Sequence, residues 1–67
     1  MSNDLIVALC RELITLAKSE EDLAAAEAAR TPYWAPSPPT VEGHRAAARA
    51  LRADAARLEA QVRVLAA

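Results

Sequence analysis

Phenylalanine is missing altogether, glycine and cysteine each occur once, and Tyr33 and Trp34 are the only aromatic side chains. Each scarcity excludes something. Cys10 alone cannot close an intrachain disulfide, and with His44 as the single histidine it cannot complete a structural zinc site. Few β-branched residues and one glycine argue against a sheet, whereas alanine, the strongest helix former, dominates. No apolar run approaches the roughly 20 residues that a membrane span needs, since Leu5 to Cys10 is stopped by Arg11 and Glu12. The opening Met1-Ser2-Asn3-Asp4 is acidic where a secretory signal would be basic, so export is not expected. A lone thiol fits a reducing cytoplasm. A net charge of -1 gives no cationic excess for phosphate. Abundant Ala and Arg with a single Lys match a high-GC bacterial or phage genome.

Proline is the exception to scarcity, and all four prolines fall between Pro32 and Pro39. No helix runs through that density of missing donors. The chain therefore reads as all-α and as one domain of residues 1–67: a helix over 3–30, a stiff proline-rich loop over 31–40 and a helix over 41–66. Ser2 or Asn3 suits the first N-cap, and the second helix is expected to start at about Thr40 with Glu42 in its first turn. Ser19 followed by Asp22 resembles a capping box and marks a possible restart within the first helix. Two helices of matched length and a short connection predict an Ala-rich, coiled-coil-like antiparallel hairpin.

The second helix shows a seven-residue seam of Val41, Ala48, Ala55 and Val62 beside His44, Leu51, Leu58 and Leu65. On the first helix the same spacing selects Ile6, Leu9, Leu13, Leu16 and Leu23. Folding about Ala35 would set Ile6 against Leu65, Leu9 against Val62, Leu13 against Leu58 and Leu16 against Ala55. Charge agrees with the pairing, because residues 1–30 hold six acids and three bases and residues 40–67 three acids and five arginines. Glu20 is expected near Arg49 and Arg52, and Glu27 near Arg45.

A second apolar stripe on the first helix, Leu5, Val7, Cys10, Ile14 and Ala17, then has no partner within the chain. A small domain without a disulfide or metal gains only about 3 to 5 kcal/mol from its own core, so this stripe is the expected interface with a second copy, forming a four-helix bundle, or with another protein. Cys10 reads there as a small hydrophobe, the alternative being an interchain disulfide. Trp34 has two readings, a plug folded over Leu23 and His44, which is preferred, or with Tyr33 a recognition tip. Arg45, Arg49, Arg52 and Arg63 share one side of the second helix and are candidate anion contacts, although acidic residues are placed to neutralise them. Cys10 and His44 fall at opposite ends of the hairpin, so no nucleophile and base can be assembled, and neither catalysis, a cofactor, a metal nor a small-molecule substrate is expected. The function expected is a non-catalytic interaction or oligomerisation module, an adaptor or assembly protein. The alternative is a small dimeric regulator binding nucleic acid through the arginine stripe.

Overall fold

The computed structural model describes residues 3–66, with side chains through residue 64. Two helices, α1 (Asn3–Arg30) and α2 (Pro39–Ala66), account for its regular structure. They pack against each other along a rod 52 Å long and 14 by 13 Å across. Each contains 28 residues, which at a rise of 1.5 Å is about 42 Å, and the loop adds the remaining length.

Local chemistry explains the ends. Asp4 occupies the first turn of α1 and Arg30 the last, each complementing the helix dipole. Helix α1 runs unbroken through Ser19, so the capping-box pattern there starts nothing. Thr31 closes α1: its amide donates to the Ala28 carbonyl at 3.1 Å and its hydroxyl to the Glu27 carbonyl at 2.9 Å. A turn follows, closed by the Ala35 amide on the Pro32 carbonyl at 3.0 Å. Pro39 opens α2 at the first helical position, where its missing N–H costs nothing. The helix, expected to start at about Thr40, starts one residue earlier, and the Thr40 hydroxyl donates to the Glu27 carboxylate of α1. Ser2 lies outside the described residues.

Three cross-links define the register: the Cys10 thiol on the Ala55 carbonyl, Glu20 on His44, and Glu27 on Thr40. The helices are therefore antiparallel. Ala55, however, faces Cys10 rather than Leu16, more than a helical turn away from the expected pairing. The α1 seam is rotated as well. Ile6, Ala17 and Ala24 are buried, with Ala17 at 0% exposure, against Val41, Ala48 and Ala55 of α2. Leu9, Leu16 and Leu23, expected in this seam, are 40%, 45% and 49% exposed, and Leu13 is half-buried. On α2, Val41, Ala48 and Ala55 are buried, and Leu51, Leu58 and Val62 are half-buried beside them. Leu65 lies outside the described side chains.

The physical reason is complementarity of size. Alanine on α2 lets the backbones approach only if the facing residues on α1 are small too, and Cys10, Ala17 and Ala24 form such a column at seven-residue intervals. Close approach places many atom pairs at contact distance at once, each gaining about 0.1 to 0.2 kcal/mol, so the tight seam outweighs the individual attraction of the leucines. Those flank it instead.

Gly43 sits inside α2 without a positive φ, and beyond its own stretch of helix nothing lies within 4 Å of where a Cβ would stand. Gly43→Ala should therefore stabilise the hairpin by about 0.5 to 1 kcal/mol, a rise in melting temperature of a few degrees by circular dichroism.

Candidate interaction surface

The seam has two flanks, and the paired side chains tell them apart. Glu20 meets the His44 Nδ1 at 2.5 Å on one flank, and Glu21 meets Arg52 on the other. At 100° per residue, Leu13 shares the Glu20 column, with Leu9, Leu16 and Leu23 one step outward, while Leu51 and Leu58 continue the His44 column. The leucines of both helices thus line one flank. They form a continuous apolar strip bordered by the half-buried Ala47 and by Asp54, which binds Arg57. Toward the loop the strip narrows to Leu23, which is flanked by the polar pairs Glu20–His44 and Glu27–Thr40. Contiguous exposed apolar surface, unlike scattered single side chains, marks interaction sites.

The interface expected on Leu5, Val7, Cys10, Ile14 and Ala17 does not exist as a free face. Ala17 is buried, Cys10 and Ile14 are half-buried against α2, and only Leu5 and Val7 of the five are exposed. The Cys10 thiol donates within its own hairpin at 3.6 Å. This flank is instead a shallow recess lined by Cys10, Ile14, Lys18, Arg52, Ala55 and Glu59. Charged rims on both sides make it a solvated face.

Most of the arginines of α2 are engaged. Arg49 binds Glu42 at 2.8 Å, Arg52 binds Glu21 through two nitrogens at 2.8 and 3.0 Å, and Arg63 binds Glu59 at 2.9 Å. The expected partners differ: Glu20 belongs to His44 and Glu27 to Thr40, leaving Arg45 without an ion pair among the described residues. Three of the four candidate anion contacts are thus neutralised by a neighbouring carboxylate. The hydrogen bond from Arg52, aided by its charge, lowers the Glu21 carboxyl below its ordinary value of 4.5, and Arg49 does the same for Glu42. A carboxyl with a depressed folded pKa stabilises the fold above its unfolded value and loses that contribution as pH falls. The melting temperature should therefore drop slightly below about pH 4.5, and Arg52→Ala should flatten that drop; both groups are exposed, so salt should flatten it too.

Trp34 is not a plug. It is 75% exposed and Tyr33 97%, their rings edge to face at 5.4 Å on the Pro32–Ala35 turn. Prolines on both sides hold the turn away from the hairpin end, so neither ring covers Leu23 or His44. Trp34→Ala should leave the unfolding free energy, measured by denaturant titration, within about 0.5 kcal/mol of the parent, as for other exposed substitutions.

Among the described residues no three His, Cys, Asp or Glu side chains are grouped to hold a metal, and no helix is long and apolar enough to cross a membrane. The chain matches no family model, no curated protein and no solved structure.

Proposed function

We propose that this chain is a non-catalytic oligomerisation module that covers its leucine flank with a second copy of itself, forming a coiled-coil-like four-helix bundle and serving as a small adaptor or assembly protein. One observation carries the reading: Leu9, Leu16 and Leu23 stand in line on α1, 40 to 49% exposed, beside the half-buried Leu51 and Leu58 of α2. The surface area supports it. A globular protein of 7.1 kDa would expose about 4,100 Å², and this hairpin exposes 4928 Å². The excess, about 850 Å², is close to what one partner contributes to an interface of standard size.

Light scattering across a dilution series tests the proposal. The mass should be that of a dimer at micromolar concentration and fall on dilution together with helicity; a folded monomer at every concentration would end it. The nucleic-acid reading has less support, because Arg49, Arg52 and Arg63 already hold carboxylates. It requires binding that weakens steeply between about 50 and 200 mM salt.

A further inference from the structure

Two symmetric dimers can bury the leucine flank. In one, the two-fold axis runs along the rod, both loops lie at the same end, and α1 of each copy rests on α2 of the other. In the second, the axis crosses the rod, the loops lie at opposite ends, and α1 rests on α1 and α2 on α2. Neighbouring helices are antiparallel either way, so helix dipoles do not choose between them.

Building on the homodimer proposed above, we infer that the copies pair with their loops at the same end. Three features of the hairpin select this arrangement. The first is the grading of the flank along its length. Cys10 lies opposite Ala55 and Glu20 opposite His44, so Leu9 stands near the level of Leu58 and Leu16 near that of Leu51. Same-end pairing brings these leucines of one copy onto those of the other. Opposite-end pairing centres the α1 row on Leu16, but on α2 it slides Leu58 onto Thr40 and Leu51 onto Ala47, so the leucines of α2 lose their apolar partners.

The second is charge. Helix α1 holds six acidic and three basic residues, and α2 three acidic residues and five arginines. Same-end pairing sets each acidic helix on a basic one; opposite-end pairing sets like on like. Juxtaposed like charge is a common way for interfaces to reject a wrong arrangement.

The third is the detail at the rim. Glu12 has no ion pair within its hairpin among the described residues, and it lies within about two helical turns of the level of the Arg57–Asp54 pair. In the same-end dimer Glu12 of one copy faces Arg57 of the other. At the polar end Glu20 likewise comes level with His44 of the second copy. Both Tyr33–Trp34 turns would then project from one end of the bundle.

Distance measurement between labelled loops decides the matter. Spin labels on Ser37→Cys, in a Cys10→Ala background that adds one more alanine to the small column, should couple at roughly 20 Å, given helix spacings of 8 to 10 Å. Cys10→Ser provides a second background should the first lose helicity. A separation near the rod length of 52 Å would overturn the same-end arrangement and leave the homodimer standing. Absent coupling together with a monomeric mass by light scattering would overturn both.

Discussion

Ala17→Leu is expected to destabilise the hairpin by about 1 to 3 kcal/mol, the usual cost of forcing extra methylenes into a filled space. For a domain of this size, whose core supplies only about 3 to 5 kcal/mol, that is a large part of its stability. Ala17 is wholly buried, and its column meets Val41, Ala48 and Ala55 across the closest approach of the helices. The added isopropyl group has no cavity to enter, so the helices must part and the contacts on either side of Ala17 must loosen. Hydrophobic arithmetic by itself gives the opposite sign, because leucine is the more apolar residue and nearly as good a helix former. The experiment therefore reads geometry. A fall in melting temperature of roughly 10 °C is expected by circular dichroism, with Leu23→Ala, on the exposed row, losing far less within the hairpin. Unchanged or increased stability would mean that Ala17 faces outward.

The second large effect concerns Leu16→Glu. Leu16 is the central residue of the exposed row, between Leu9 and Leu23. In a homodimer two copies of it are lost, each contributing roughly half of the about 1.5 to 3 kcal/mol of a fully buried leucine, because Leu16 is 45% exposed in the hairpin, and each replacement sets a carboxylate against apolar surface. Dimerisation should weaken by about 3 kcal/mol, on the order of a hundredfold. Sedimentation or light scattering at micromolar concentration should then give the monomer mass. The seam on Ala17, Ala24, Ala48 and Ala55 does not involve Leu16, so the remaining helicity reports the hairpin by itself. A Leu16→Glu chain that kept the dimer mass would remove the leucine row from the interface. Ala17→Leu and Leu16→Glu are neighbours with opposite chemistry, one adding and one removing apolar bulk, and both are expected to do harm for separate reasons.

How much of this was readable from residue order differs between the helices. The prolines from Pro32 to Pro39 announce the break, and on α2 small and large residues alternate so regularly that Val41, Ala48 and Ala55 identify themselves as the inner column. On α1 two columns compete one residue apart: Leu9, Leu16, Leu23 and Cys10, Ala17, Ala24. Both repeat every seven residues, and periodicity cannot choose between them. Side-chain hydrophobicity favours the leucines. The alanines of α2 favour the other, since a close seam needs small residues from both helices, and that signal lies in a comparison across the chain. One step around α1 is the difference between Leu9, Leu16 and Leu23 filling the seam and standing on its flank. Register was harder to read, because folding about Ala35 assumes a symmetric loop. In the structure Glu27 receives Thr31 from one side and Thr40 from the other, drawing the start of α2 back along α1. Trp34 looked like a plug because it is large and apolar, but a turn hemmed by prolines cannot bend its ring back onto Leu23.

The position of Trp34 has an optical consequence. As the chain's only tryptophan, outside the packed seam and already in water, its emission should change little when the helices melt, while circular dichroism loses its helical signal. Fluorescence in this protein is thus a poor thermometer of folding. It is correspondingly a clean reporter of the loop: a spectral shift or loss of quencher access during a titration would register contact at the turn, with little background from the hairpin behind it.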